Sequence, residues 1–437
     1  MVGQIMKQTL KAARTMGLLL ALAALAVAAR FPATAAVPHV FHVSVDGLSA
    51  LFLTQFMTSN PAAFPNFARL QTEGAFTLNA RCDHDVSVTI PNHVCMVTGR
   101  PVRQQPGWPD DIHHGYEDNA NAGPIHSAGN TAIGYIASTF DVVHDHGLST
   151  AIIASKAKFS LFPESYGPIY GAEDTTGADN GRNKIDYQRI TETSSFSILT
   201  NDLARHLAGV RPNYAFIHIS DPDYAGHWYG WGSFYWSNVV RNVDGYLGLI
   251  LNLIETSPDL AGQTCLLLTA DHGGDIYGGH FNPADPGICN IPVFLWGPGV
   301  PAGTNIYSLV TNRTEPASTA PVPYTEEPPC LRNGDTGNLA LSLLGLPPIP
   351  GSWMRPHLSL PPHNLSTVRL KAARKAGGWQ LSWPTNAAGF SLEFTEDLRG
   401  NDWQTVTEDV FREGFDYLFQ INPANSQNGR FYRLHKY

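Results

Sequence analysis

Cysteine is scarce in this chain, and its spacing provides no metal-binding pair. The five cysteines are an odd number, and no two of them form a Cys-x-x-Cys pair, which argues against a structural metal site built on thiolates. We expect Cys95 and Cys265, which lie in apolar runs, to be buried as small hydrophobic residues. The spacing leaves open one disulfide among Cys82, Cys289 and Cys330.

Basic residues are also few. Lys and Arg number 28 against 37 Asp and Glu, which gives a formal net charge of −9. A chain this acidic is poorly suited to holding the phosphate backbone of duplex nucleic acid by electrostatics. We therefore expect no such partner and look for a small-molecule ligand.

Long apolar runs are limited to the N-terminus. Residues 16–29 are apolar, three basic residues precede them, and Ala33-Thr34-Ala35 resembles a cleavage site. This pattern predicts a signal peptide over residues 1–35 and a secreted or periplasmic protein, with a retained N-terminal membrane anchor as the alternative. We expect no membrane span after removal of this signal.

The remaining chain is long and apolar enough for one large core and a small extra domain, since 43% of the 437 residues are hydrophobic. Strands alternate with helices over residues 36–361, which predicts an α/β catalytic domain with a mostly parallel sheet and helices on both faces. Over residues 366–437, short alternating segments separated by turns predict a small all-β sandwich.

The hydrophobic pattern also locates individual elements. The predicted strands are Val37–Val45, Phe76–Val88, Ser149–Ala154, Tyr214–Ile219, Thr264–Leu268 and Asn290–Trp296. The predicted helices are Leu51–Gln71, Ala137–Asp145, Ser194–Leu207, Trp236–Ile254 and Gly337–Leu346. Residues 159–187 are predicted to form a long loop.

Residues of types that can bind metals follow several of these predicted strands. They are Asp46, Thr89, Asp223, Asp271 and His272. Because the carboxyl ends of parallel strands share one edge of a sheet, we expect these side chains to converge there.

Two further histidines complete the predicted metal site. His227 lies four residues after Asp223, and His280 lies eight residues after His272. The resulting nitrogen and oxygen ligands suffice for two tetrahedral, zinc-like ions that each keep a position open.

Thr89 is the candidate nucleophile. It lies where a strand meets a helix, and Pro91 suits the first turn of that helix. Free backbone N–H groups at a helix N-terminus favour an anion such as phosphate. A hydroxyl becomes an effective nucleophile when a base or a metal activates it, so two nearby cations would suit it.

In these motifs the chain resembles the alkaline phosphatase superfamily, in particular its nucleotide pyrophosphatase/phosphodiesterase branch. The resemblance rests on five stretches in the order of the family: residues 45–47, 89–93 together with 97–99, 221–230, 271–273 and 279–280. It implies a phosphodiesterase that cleaves a small phosphate ester or diester.

The resemblance also implies roles for individual residues. One zinc would be held by Asp223, His227 and His280, and the other by Asp46, Asp271, His272 and the oxygen of Thr89. Thr89 would be transiently phosphorylated. An asparagine that follows a His-Gly pair in the family binds a phosphoryl oxygen, which points to Asn119, with Asn92 as the fallback.

The sequence is also compatible with activities other than that of a phosphodiesterase. A sulfatase is disfavoured because residues 89–93 carry neither the Cys/Ser nor the Arg of the motif Cys/Ser-x-Pro-x-Arg. A phosphomonoesterase is the main alternative, since Ile90 replaces the aromatic residue on which nucleotide-cleaving relatives stack a base. The stretch with Lys156 and Lys158 loosely resembles a lysine-bearing stretch of threonine-type alkaline phosphatases, whose extra positive charge favours dianionic monoesters. We nevertheless expect both lysines here to be solvated.

Two further questions stay open. The aromatic residues at 228–231 and 234–236 either wall a leaving-group pocket or pack at the start of a helix. A non-catalytic surface-binding protein, acting through residues 366–437, is the alternative from a different class.

Overall fold

A large, mostly parallel sheet organises the computed structural model. Its eight strands lie in the order β4-β3-β5-β1-β6-β7-β2-β8. They are β1 (His39–Val45), β2 (Ala75–Arg81), β3 (Thr150–Ala154), β4 (Tyr187–Ile190), β5 (Tyr214–Ile219), β6 (Thr264–Thr269), β7 (Asn290–Trp296) and β8 (Thr304–Asn305). Strand β7 runs antiparallel to both of its neighbours, and the other pairings are parallel.

The structure describes residues 36–176, 180–192, 197, 200–201, 207–361, 370–375, 378–384, 390–398, 402–407, 410–413, 416–421 and 429–436. The predicted signal peptide and most of the predicted helix 194–207 lie outside these residues. Among the helices within them, none combines the length and apolar character needed to cross a bilayer.

Helices cover both faces of the sheet, as the α/β pattern predicted. The helices are α1 (Ala50–Ser59), α2 (Pro65–Glu73), α3 (Thr89–Thr98), α4 (Ile125–Ala128), α5 (Thr139–Asp145), α6 (Leu161–Ser165), α7 (Ala208–Val210), α8 (Asp221–Tyr229), α9 (Phe234–Thr256), α10 (Pro286–Cys289) and α11 (Thr336–Leu343). Every residue of β1, β3, β5 and β6 is buried, which is typical of parallel strands covered on both sides.

Three predicted elements differ from the structure. The single helix predicted over 51–71 is wrong, because Pro61 cannot continue it and α2 starts afresh at Pro65. Strand β2 ends at Arg81 rather than at Val88. The loop predicted over 159–187 contains α6, and the polar strand β4 follows it.

The C-terminal segment forms two antiparallel sheets, which confirms the predicted sandwich. One has the order β13-β14-β10-β9 and the other β12-β11-β15. The strands are β9 (Lys371–Lys375), β10 (Gly378–Pro384), β11 (Phe390–Thr395), β12 (Gln404–Thr405), β13 (Val410–Glu413), β14 (Asp416–Ile421) and β15 (Phe431–Lys436). Leu381 and Trp383 of one sheet pack with Leu392 of the other in a separate apolar core.

All five cysteines are buried and free. Cys95 and Cys265 therefore lie in the interior, as their apolar surroundings predicted. The disulfide that the sequence left open among the other three does not form.

Candidate metal centre and active site

The predicted ligands meet at one edge of the main sheet. Asp46 follows β1, Asp271 follows β6, and α8 begins directly after β5, so that it carries Asp223 and His227 one turn apart. Gly47 makes the close approach of these segments possible. It has φ +73°, and a Cβ there would lie 2.8 Å from the Cα of Asp223.

The first ligand set consists of Asp223, His227 and His280. Nε2 of His227 lies 3.4 Å from Oδ1 of Asp223, and Nε2 of His280 lies 4.0 Å from the same oxygen. The Nδ1 atoms donate to backbone carbonyls, His227 to Gly278 at 2.9 Å and His280 to Ser87 at 2.6 Å. These bonds fix the rings so that Nε2 faces the shared carboxylate, an arrangement common in metal-binding histidines.

The second set consists of Asp46, Asp271 and His272. Nε2 of His272 lies 3.3 Å from Oδ2 of Asp271 and 3.7 Å from Oδ1 of Asp46. Its Nδ1 donates to the carbonyl of Gly273 at 2.8 Å. Ligand atoms of Asp46, Asp223 and His272 lie within 4.8 Å of one another, so the two sets adjoin.

Hydrogen bonding at this site is incomplete in a way that suits cations. Four buried ligand atoms have no hydrogen-bond partner: Oδ1 of Asp46, Oδ1 of Asp223, Oδ2 of Asp271 and Nε2 of His272. Leaving such groups unpaired costs about 1–3 kcal/mol each. Bound cations would satisfy all four atoms, so these residues fit a pair of divalent ions.

Burial sets the charge of these ligands. It lowers the pKa of His272 to about 4 and that of His280 to about 3, so that both imidazoles are neutral at pH 7 and able to bind a metal. Burial, together with the neighbouring carboxylates Asp46 and Asp223, raises the pKa of Asp271. A cation placed between these carboxylates would relieve that repulsion.

Lys156 lies inside the site, so the prediction of a solvated lysine is wrong for this residue. Its side chain is buried, and Nζ donates to Oδ2 of Asp46 at 2.7 Å and to Oδ2 of Asp223 at 2.6 Å. It pairs one oxygen of each carboxylate and leaves both Oδ1 atoms facing the histidines. Burial opposes the charge of Lys156, but the two carboxylates outweigh it and raise its pKa.

Thr89 is the first residue of α3 and is buried beside this centre. His93, one turn later, donates from Nδ1 to the carbonyl of Thr89 at 2.7 Å and lies 3.7 Å from Oδ2 of Asp271. Ser87 contacts His280, as described above. The start of α3 is therefore tied to a residue of each ligand set.

Asn119 lies next to Thr89 despite the long loop between them. Its Oδ1 accepts hydrogen bonds from the backbone N–H of Ile90 and from Nζ of Lys158, both at 3.0 Å. Asn92, the fallback, has a different environment. Its amide bonds to the backbone of Asp83, Val86 and Val88 and to the side chain of Asn333, so its hydrogen-bonding capacity is used within the protein.

Asp83 is a residue that the sequence patterns missed. Its carboxylate is buried and accepts from the backbone N–H groups of Asp85, Val86 and Val102. The hydroxyl of Tyr324 also donates to it. Asp83 thereby fixes the loop that leads to Thr89. Its position after a strand was the available signal, but the predicted strand ran past it.

The aromatic residues after Asp223 divide into two groups. Trp231 and Trp236 are buried, and the indole N–H of Trp231 donates to the carbonyl of Gly47 at 2.7 Å. Trp228 and Tyr229 are exposed and line a cavity of about 480 Å³. The packing interpretation therefore holds for Trp231 and Trp236, and a leaving-group pocket walled by Trp228 and Tyr229 stays a prediction.

Comparison with known proteins places this geometry in context. A protein identified as the bis(5'-adenosyl)-triphosphatase enpp4 of Xenopus laevis is 24% identical over 252 residues, which cover 55% of this chain and 48% of that protein. The chain thus spans about half the length of this curated relative.

Two solved structures align with the chain at low sequence identity. Murine ectonucleotide pyrophosphatase/phosphodiesterase 5, an inactive threonine-to-alanine variant in complex with AMP, is 15% identical with a TM-score of 0.48, covering 71% of this chain and 96% of that one. A variant of the alkaline phosphatase PafA is 12% identical with a TM-score of 0.49, covering 74% and 98%.

A family of phosphoric-ester hydrolases matches most of the region that forms the site. The sequence model described as type I phosphodiesterase/nucleotide pyrophosphatase matches residues 40–105 and 118–276. These segments contain Asp46, Thr89, Asn119, Asp223 and His272, and together they make up more than half of the chain. The chain belongs to the type I phosphodiesterase/nucleotide pyrophosphatase family.

Proposed function

We propose that this protein is a secreted, zinc-dependent phosphodiesterase that acts through a phosphorylated Thr89. The observation that carries the proposal is the set of four unpartnered, buried ligand atoms on Asp46, Asp223, Asp271 and His272. Neutral imidazoles and carboxylates without cysteine are typical ligands of catalytic zinc. When bound, two such ions would lower the pKa of the Thr89 hydroxyl and stabilise the charge of an in-line displacement.

The chain's own residues account for the two chemical steps. Thr89 Oγ attacks phosphorus, the new threonine O–P bond forms, and the ester O–P bond breaks to release an alcohol. Water then cleaves the phosphothreonine, which restores the Thr89 hydroxyl and releases a phosphate monoester. Asn119 and the N-terminus of α3 lie beside Thr89 and would orient the phosphoryl oxygens.

Metal analysis combined with a Thr89→Ala variant tests this proposal. We expect two zinc ions per chain in both proteins, and a loss of diesterase turnover of about a thousandfold or more in the variant, because the nucleophile is gone. Thr89→Ser, which keeps a hydroxyl, is the matched control and should retain activity. Full activity of Thr89→Ala would contradict the phosphothreonine route.

A phosphomonoesterase is the second candidate. The supporting observation is Lys158, whose Nζ donates to Oδ1 of Asn119 next to Thr89 and so would bring a positive charge near a dianionic phosphoryl group on Thr89. Turnover of p-nitrophenyl phosphate, bis(p-nitrophenyl) phosphate and the p-nitrophenyl ester of thymidine monophosphate would order the two activities. The name of the Xenopus relative adds bis(5'-adenosyl) triphosphate to this panel.

We further propose that residues 1–35 are a signal peptide, that residues 36–361 form the catalytic domain and that residues 366–437 are an accessory module. N-terminal sequencing of the mature protein tests the first assignment. The separate apolar core of the module supports the last. Removing residues 366–437 should leave turnover intact, whereas a non-catalytic binding protein would lose its function.

A further inference from the structure

A second cavity lies at the end of α3 that is remote from Thr89. Its volume is about 500 Å³, and its lining consists of Arg100 and of residues 111–112, 132–133, 351–353 and 355. Helix α3 has ten residues, so about 15 Å of helix separates the nucleophile from this cavity. None of the lining residues is a ligand of the metal centre, so the cavity is a separate feature of the molecule.

Two arginines line this cavity without forming an ion pair. Arg100 is 4% exposed, and its Nη1 donates to the backbone carbonyls of Asp111 and Ile112 at 2.5 and 3.0 Å. Nε of Arg355 donates to the hydroxyl of Ser352 at 3.1 Å. Every described hydrogen bond of the two guanidinium groups therefore goes to a neutral oxygen. Among the described lining residues, the carboxylate of Asp111 is the one acidic group, which leaves an excess of positive charge.

One edge of the Arg100 guanidinium has unused hydrogen-bonding capacity. Its Nε is buried and has no partner among the described residues, and the described hydrogen bonds of the group all start from Nη1. Nη2 lies against Gly351, where a Cβ would come within 2.0 Å of this atom. Nε and Nη2 form the edge of the planar group that can bind two oxygens of one phosphate. A buried N–H group without a partner is unfavourable, and a bound oxyanion would satisfy it.

The two positive charges affect each other. Burial lowers the pKa of Arg100, and the charge of Arg355 lowers it further, whereas Asp111 opposes the shift. Among the described hydrogen bonds, none uses the Nη atoms of Arg355, which is an exposed residue. An anion bound by both guanidinium groups would relieve their repulsion and compensate for the burial of Arg100.

Much of the cavity wall lies outside the segments that match the family model. These segments are residues 40–105 and 118–276, so the wall formed by residues 111–112 and 351–355 is not part of the match. The backbone N–H groups of residues 353 and 354 both donate to the carbonyl of Gly99 at 2.8 Å. This pair of bonds fixes the second wall segment to the end of α3 and places it beside Arg100.

We propose that this cavity binds a phosphate group, either as free phosphate or as part of a small organic phosphate, through Arg100 and Arg355. The Nε and Nη2 atoms of Arg100 would bind two of its oxygens, and Arg355 would neutralise the remaining charge. A dianion matches two guanidinium groups better than a singly charged carboxylate does. Ile112, Ile133 and Trp353 supply apolar walls for the organic part of an ester. Binding here would not depend on the diesterase activity.

Isothermal titration calorimetry with inorganic phosphate tests this site. A chelator removes metal ions from the centre and with them any phosphate that they bind, so the titration is performed with and without it. In both conditions we expect saturable binding that Arg355→Gln weakens by about tenfold or more, because a charge-assisted contact is lost. Arg241→Gln, at an exposed arginine of α9 outside the cavity lining, is the matched control and should bind as the unmodified protein does.

Phenylphosphonate, a stable analogue of a phosphate ester, identifies the source of the phosphate group. Tighter binding of phenylphosphonate than of phosphate would support the site with an organic phosphate as its ligand. Tighter binding of phosphate would support it with the free ion. Absence of saturable binding in the chelated, unmodified protein, or equal affinities of this protein and Arg355→Gln for both probes, would overturn the inference.

Discussion

Lys156 is the single residue that most affects the charge of the centre. It brings one positive charge to a site with three buried carboxylates, and it contacts two of them directly. Sequence patterns did not reveal this, because Lys156 stands in the polar stretch Ser155-Lys156-Ala157-Lys158 after a strand, and lysine side chains are rarely fully buried. The burial of Lys156 follows from the meeting of β1, β3 and β5, which is a tertiary property.

The first prediction concerns Lys156→Met in the metal-free protein. Its free energy of unfolding should fall by about 3–5 kcal/mol, because Asp46 and Asp223 lose their buried counterion. Urea denaturation in the presence of a chelator measures this value. Zinc should restore part of the loss, since bound cations stabilise the folded state.

Lys158→Met is the matched control for this experiment. Lys158 hydrogen-bonds to the exposed Asn119 and to neither buried carboxylate, so its loss should cost less than about 1 kcal/mol. Equal losses in the two variants would contradict the role given to Lys156.

At the scale of elements, the loop between β2 and α3 determines where Thr89 lies. Asp83 organises this loop through three backbone N–H groups, two from the loop itself and one from Val102. Because the loop is already held by several hydrogen bonds, little further conformational freedom should be lost when Thr89 is positioned for the reaction.

The second prediction concerns Asp83→Ala. Loss of hydrogen bonds to a buried carboxylate should lower the free energy of unfolding by about 2–3 kcal/mol. It should also lower kcat by about tenfold or more, because Thr89 is positioned less well. Asp85→Ala is the control. Among the described hydrogen bonds, the carboxylate of Asp85 accepts a single one, from the side chain of Gln105. An unchanged kcat in Asp83→Ala would contradict this role.

The strands show which features of the fold the sequence pattern predicts and which it does not. Apolar runs located β5 and β7 to the residue, and the ligands at the strand ends followed because parallel strands share an edge. The pattern could not reveal that β7 runs antiparallel, because direction within a sheet is set by tertiary packing. Strand β4 was missed since Gln188 and Arg189 interrupt its apolar pattern.

At the scale of the whole molecule, burial of neutral histidines makes stability depend on pH. Two of them, His42 and His114, lie in the interior away from the metal ligands, and burial lowers the pKa of each to about 3. In the unfolded chain, the same side chains have a pKa near 6.5.

The third prediction follows from this difference. Below about pH 6.5 the unfolded chain takes up protons that the folded protein excludes, so stability is lost as the pH falls toward 3. Each histidine should cost about 2 kcal/mol at pH 5 relative to pH 7. Urea denaturation at both pH values measures this loss, and His42→Phe should make it smaller. An identical pH dependence in this variant would contradict the assignment.

The molecule as a whole brings side chains from α3, α8 and the segments after β1, β3 and β6 to one edge of the sheet. We propose that their unpartnered atoms define two adjoining positions for cations. Anomalous diffraction at the zinc absorption edge, from crystals of the zinc-loaded protein, tests it most directly. We predict one peak among Asp223, His227 and His280 and a second among Asp46, Asp271 and His272. A single peak, or peaks away from these residues, would contradict the account.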